Sequence, residues 1–223
     1  MFGDIFDSEV ARETKEYTFG PYTVSVSCVA GENQHIDKWV PLVVWRAAEA
    51  FSTELATNSC LHAELEGKRL VELGSGTGMC GLVAAMINKE LAVLTDGSED
   101  SVEALEDSIA INGLEDRVHG RLLQWGDVKA AEALNKEFND KPFDVCIATD
   151  VIYEAAAVRP LIVSANELVS STGSFFLANH RFRFQGLLEE IRKHVIDFPF
   201  ELKEVTRIGT DVDLYIFRRP TAS

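Results

Sequence analysis

The sequence predicts a single α/β domain built on a mostly parallel seven-strand sheet, closed by an antiparallel C-terminal hairpin and preceded by a small N-terminal extension. Three observations carry that expectation. From Leu70 onward short apolar runs alternate with helical patterns, a glycine-rich turn follows the first run, and the tail holds two apolar runs with no helix between them. Residues 69–73, 91–95, 118–123, 143–149 and 174–178 read as strands. Strands that alternate with helices pair in parallel, with the helices laid on both faces.

The elements around these strands agree. Ser98 is placed to cap a helix carrying Val102, Leu105, Ile109 and Ile111, and Asn112-Gly113 supplies its stop signal. A helix suggested by Leu187, Leu188, Ile191 and Val195 precedes runs at 200–206 and 212–217, which the turn-like Ile208-Gly209-Thr210-Asp211 separates. Two adjacent strands without an intervening helix form a hairpin. Upstream, residues 17–19 and 22–28 flank Gly20-Pro21 as a second hairpin, and a polar loop runs through Asp37. A helix is then expected from about Pro41 to Ala56, because proline suits a first helical turn whose N–H groups lack intrahelical partners. Residues 1–66 are thus expected to be an N-terminal extension packed on the core, too poor in apolar positions to fold alone. Residues 67–223 are expected to form the core.

A length of 223 residues suits one domain, and 46% apolar with 26% charged residues lies in the ordinary globular range. The 36 acidic against 21 basic side chains, a formal charge of −15, argue against a nucleic-acid partner, which would need clustered Lys and Arg. The acidity fits either solubility or attraction of a basic protein surface, and charge alone does not separate the two. Cys28, Cys60, Cys80 and Cys146 form no C-x-x-C pair, so neither a zinc knuckle nor a disulfide framework is expected. No run approaches the roughly 18 apolar residues that cross a bilayer, and no signal-peptide pattern opens the chain. The expectation is a monomer without a metal or a membrane partner, in the cytoplasm and extending to the nucleus.

The most informative stretch is Leu70-Val71-Glu72-Leu73-Gly74-Ser75-Gly76-Thr77-Gly78-Met79-Cys80-Gly81, an apolar strand leading into glycines and then a helix. Glycines at the carboxyl end of a strand let a ligand approach the backbone closely, and nucleotide-like cofactors bind there. Two registers compete. Gly76-x-Gly78-x-x-Gly81 spells the dinucleotide fingerprint, with Asp96 about where its ribose-binding acid belongs. Glu72-x-Gly74-x-Gly76-x-Gly78 instead sets an acid two residues before the first glycine. That acid would repel a pyrophosphate at short range and suits a cationic cofactor such as S-adenosyl-L-methionine. The second register is preferred, and a seven-strand sheet ending in an antiparallel hairpin points the same way. Asp96 can accept from ribose hydroxyls or serve only as a strand-end turn residue. Trp125 can line an adenine pocket or simply fill the core.

Further along, Asp150-Val151-Ile152-Tyr153 follows the run at 143–149, and Trp45-Arg46-Ala47-Ala48 lies on the helix before the core. With the Gly74 loop, Thr95-Asp96, Asn112 and Trp125-Gly126, these residues resemble the seven-strand protein lysine methyltransferases that act on calmodulin, elongation factors and chaperones. That Rossmann-like family carries D-x-x-Y after its fourth strand and W-x-A on the preceding helix. The resemblance, over about residues 45–155, implies that Trp45, Glu72, Gly74, Gly76, Asp96, Trp125 and Thr149 hold S-adenosyl-L-methionine. It also implies that Asp150 and Tyr153 face the acceptor amine of a protein substrate. Asp150 would orient the amine through a hydrogen bond; a helix N-cap is its competing role. Asn179-His180-Arg181-Phe182-Arg183 matches no motif, and His180 reads as a loop or packing residue. Transfer to a small amine or to protein His or Arg, a non-catalytic binding subunit and a nicotinamide oxidoreductase remain alternatives at the level of sequence.

Overall fold

The computed structural model describes residues 11–30 and 42–220. The first of these segments is an antiparallel hairpin, β1 (Arg12–Phe19) and β2 (Tyr22–Val29), longer than expected at both ends. Helices α1 (Arg46–Thr57) and α2 (Ser59–Leu65) lead into the sheet. There β3 (Leu70–Leu73), α3 (Met79–Asn88), β4 (Ala92–Asp96), α4 (Glu99–Ile111) and β5 (Val118–Leu122) follow in turn. The second half runs α5 (Val128–Glu137), β6 (Phe143–Thr149), α6 (Ala155–Leu168), β7 (Val169–His180), α7 (Leu187–Val195), β8 (Glu201–Ile208) and β9 (Val212–Arg218). The seven-strand sheet has the order β5-β4-β3-β6-β7-β9-β8, parallel except where β9 pairs antiparallel with both β7 and β8.

Period-two alternation sorts the side chains of each strand into two apolar layers. Leu70, Leu94, Ile147, Phe176 and Leu214 face the layer that contains α1, α3 and α4. Val71, Val93, Cys146, Phe175 and Tyr215 face the layer of α5, α6 and α7. Glu72 stands two residues after Leu70 and so points a carboxylate into the first layer, where it is 1% exposed.

The expected helix after Asp37 begins at Arg46, and Pro41 lies outside the described residues, as does the polar loop. Ser98 occupies the N-cap of α4 but makes no side-chain capping bond; its amide donates to Asp96 Oδ1 instead. The stop signal works as read. The Gly113 amide donates to Ala110 O and the Leu114 amide to Ile109 O, the paired bonds of a Schellman ending with Gly113 at φ +64°. Strand β7 outruns its expected span because it starts at once where α6 ends, at Val169.

The N-terminal hairpin is fastened to α4. The Ser25 amide donates to Asn112 Oδ1 at 3.0 Å, and Asn112 Nδ2 donates to Ser25 O at 2.6 Å. The Ser27 amide donates to Ser108 Oγ at 2.9 Å. Val24 and Val26, both fully buried, add apolar contact in the layer of α3 and α4. Asn112→Ala leaves the Ser25 peptide groups without these partners and is expected to cost about 1–3 kcal/mol. Urea unfolding should show it as a lower midpoint with an unchanged m value.

Candidate active site

The turns that follow β3, β4, β5 and β6 line a cleft of about 390 Å³. It sits where the strand order reverses between β3 and β6, the position at which helices diverge to opposite faces and leave a crevice. Leu73 hands the chain to Gly74 at φ +71°. A Cβ there would stand 2.7 Å from both Trp125 Cζ2 and Val151 Cγ1. Only glycine tolerates both this conformation and this contact.

The loop is tied to the next strand. The Ser75 amide donates to Thr95 O at 2.8 Å, the Gly76 amide to Asp96 Oδ2 at 2.9 Å and the Ser98 amide to Asp96 Oδ1 at 3.1 Å. Thr95 Oγ1 donates to Glu72 O at 2.7 Å. Burial pushes the Asp96 carboxyl above its ordinary value, and the amides of Gly76 and Ser98 oppose that shift.

Glu72 lies behind the loop and forms no part of the cleft wall. A Cβ on Gly81 would meet Glu72 Oε2 and Leu94 Cδ2 at 2.3 Å, so Gly81 serves helix packing against strand and carboxylate. Burial pushes the Glu72 carboxyl up to about 8; Ser75 and the Gly81 backbone lower it, and Asp96 raises it further. Its Oε2 has no hydrogen-bond partner among the described residues.

On the other side of the cleft, β6 delivers Thr149 and then Asp150. Asp150 is a non-glycine residue at φ +55° with a fully buried side chain. Aspartate tolerates the left-handed region because its short polar side chain bonds nearby backbone. Asp150 Oδ2 accepts from the Ala47 amide at 3.1 Å and Oδ1 from the His180 amide at 2.9 Å. Glu154, and not Asp150, occupies the N-cap position of the helix that follows, whereas Asp150 satisfies a first-turn N–H of α1, 103 residues earlier. Asn179 completes the frame: Oδ1 accepts from the Ile152 amide at 3.1 Å and Nδ2 donates to Ile152 O at 3.2 Å. Tyr153 is left 44% exposed at the rim. Burial pushes its phenol up, while Arg183 lowers it. The Arg183 guanidinium stands 4.0 Å from the Trp45 ring centroid and 5.1 Å from that of Tyr153. Arg183 Nε is 3.6 Å from Asp150 Oδ1.

A family profile described as "Lysine methyltransferase" matches residues 32–193. The chain belongs to the lysine methyltransferase family. The fungal "Protein-lysine N-methyltransferase EFM3" of Chaetomium thermophilum is 33% identical over 57% of this chain and 38% of its own. "Protein N-lysine methyltransferase METTL21A" of Xenopus tropicalis is 30% identical over 80% of this chain and 77% of its own. This methyltransferase thus spans under two-fifths of the fungal relative and about three-quarters of the frog one. The crystal structure of SMU.776 complexed with SAH shares the fold with a TM-score of 0.63 at 11% identity. That alignment covers 96% of this chain and 58% of the other.

The cofactor of this methyltransferase is S-adenosyl-L-methionine, and the cleft suits it. Among the described residues lining it, Asp96 and Glu154 are charged and none is Lys or Arg, a donor set that fits a cation and lacks the countercharge a pyrophosphate would seek. Gly74 has its positive φ in the preferred register, whereas Gly81, the last glycine of the dinucleotide register, is an ordinary helical residue. Of the residues read from the sequence, Trp45, Gly74, Gly76, Asp96, Trp125, Thr149 and Tyr153 line the cleft, and Glu72 and Asp150 stand behind it. Sequence reasoning missed Asn179 and Arg183. The polar Asn179 directly after the apolar run Phe175-Phe176-Leu177-Ala178 was the available signal for the first.

Gly74→Ala should weaken S-adenosylhomocysteine binding at least about tenfold, or 1.4 kcal/mol, in calorimetry. Glu72 carries a pH signature as well. Its folded value lies above that of the unfolded chain, so its contribution to stability is fully present below about 4.3 and is lost as pH rises toward about 8. Glu72→Gln should therefore flatten the dependence of Tm on pH across that window and raise Tm at its upper end.

Proposed function

We propose that this methyltransferase transfers a methyl group from S-adenosyl-L-methionine to the side-chain amine of a lysine in a protein. The observation that carries the reading is one cleft that joins the Gly74–Asp96 wall, free of Lys and Arg, to the Asp150–Tyr153 turn. The names of the fungal and vertebrate relatives support a protein lysine as acceptor.

When bound, the cofactor supplies an electrophilic methyl group on a sulfonium. The backbone of Gly74 and Gly76 would lie against it, Asp96 would accept from ribose hydroxyls, and Trp125 would flank the base. The acceptor must present a neutral nitrogen, yet a lysine amine of pKa about 10.4 is protonated at neutral pH. Trp45 and Tyr153 would wall the acceptor from bulk water, and that desolvation favours release of the ammonium proton to solvent. A nitrogen lone pair so presented would accept the methyl carbon, the S–C electron pair remaining with sulfur.

Asp150 acts in this scheme as a positioning residue. Its oxygens hold Ala47 and His180, and hence the segments bearing Trp45 and Arg183, around the acceptor path. Alignment of this kind is where such an enzyme gains rate, because the cofactor is already reactive. The acidic surface fits a basic protein partner better than a nucleic acid.

Methyl-labelled cofactor added to a lysate should label a protein band, and mapping should place the label on lysine. Label confined to the low-molecular-weight fraction would defeat the reading. In the same assay Asp150→Ala should lower the rate by roughly tenfold or more while S-adenosylhomocysteine affinity stays within about threefold. Full activity would remove Asp150 from the acceptor side.

A further inference from the structure

The proposed lysine reading assigns no task to Arg183, although its guanidinium packs against two residues of the acceptor side. Its guanidinium lies between two aromatic rings, 4.0 Å from the Trp45 centroid and 5.1 Å from the Tyr153 centroid, with Asp150 Oδ1 3.6 Å from its Nε. Two π faces and a carboxylate form the environment that recognises a positively charged group, since ring quadrupoles and the anion both attract it. Trp45 and Tyr153 also line the cleft. The surroundings of Arg183 are therefore those an incoming lysine ammonium would meet on its way to the Asp150–Tyr153 turn.

We propose that the Arg183 side chain is an internal occupant of the acceptor-cation site, held between Trp45 and Tyr153, which a substrate lysine must displace. The proposal rests on the lysine-methylating reading for the identity of the natural displacer. Two like charges cannot share one small cage without strong repulsion, so entry of the lysine and departure of Arg183 are coupled.

That departure breaks no hydrogen bond at Asp150. Asp150 already has an amide on each oxygen, from Ala47 and His180, and Arg183 Nε stands beyond hydrogen-bond distance. Removing the guanidinium leaves those bonds intact. Arg183 sits on the turn-rich connection between β7 and α7, ahead of Gly186 at φ +95°, and not in a sheet ladder or helix. A site occupied by its own side chain binds an external ligand with an affinity scaled down to the fraction of molecules in which the site is vacant.

The test uses the full-length protein and n-butylammonium, a lysine side-chain mimic, titrated with tryptophan fluorescence as the readout. Arg183→Ala, and Arg183→Met, which keeps the apolar stem, should each bind n-butylammonium at least fivefold more tightly than the unsubstituted protein. The gain should vanish in the Arg183→Ala, Tyr153→Ala double variant. S-adenosylhomocysteine affinity reports on folding and should stay within twofold. Equal or weaker n-butylammonium binding in both single variants overturns the proposal, because Arg183 would then be part of the site's architecture. Loss of S-adenosylhomocysteine binding in both overturns it for the same reason. Failure of the lysine reading looks different: no lysine would be labelled in lysate while n-butylammonium still bound the single variants more tightly.

Discussion

The buried carboxylate of Asp150 joins three distant stretches of chain. Ala47 lies in the first turn of α1, Asp150 begins the turn after β6, and His180 closes β7, and the two oxygens of one side chain hold the other two segments by their amides. An unsatisfied charge at full burial would be costly, so these amides are a condition of the fold. A carboxylate near the first turn of a helix also meets the positive end of its dipole. Trp45, which precedes α1, and Arg183, three residues after His180, take their places from this junction. The geometry of the acceptor side follows from a backbone-binding role of Asp150.

The cofactor side depends on charge sign. Glu72, Asp96 and Glu154 surround or back the Gly74 loop, and no Lys or Arg lines the cleft among the described residues. Burial raises both Glu72 and Asp96, and each would be eased by a positive neighbour. Gly81 lets α3 approach close enough to bury Glu72. The glycine pattern therefore has two tasks: Gly74 makes room on the cleft side and Gly81 on the core side.

The sheet was readable because its information is local. Residues 143–149 form β6 as read, since a short, largely apolar run rich in β-formers between turn residues has few other fates. The Schellman ending of α4 was equally plain from Asn112-Gly113. The failures are long-range. Helix α1 begins at Arg46, held by a carboxylate 103 residues away, which no local cap signal announces. Ser98 had the right residue type, but the neighbouring Asp96 accepts its amide. Trp45, Gly74, Gly76, Asp96, Trp125, Thr149 and Tyr153 do gather at one cleft. Arg183 could not be placed from sequence because its partners come from the residue just before α1 and from the β6–α6 turn.

The attachment of the N-terminal hairpin has a further consequence. An unpaired strand edge offers a row of N–H and C=O groups that invites another chain to add a strand. On β2 that row is met at Ser25 and Ser27 by side chains of α4, with the Asn112 carboxamide standing in for a peptide unit of a neighbouring strand. A helix thereby ends a β-ribbon by imitation, and one edge of the hairpin is closed without adding a strand.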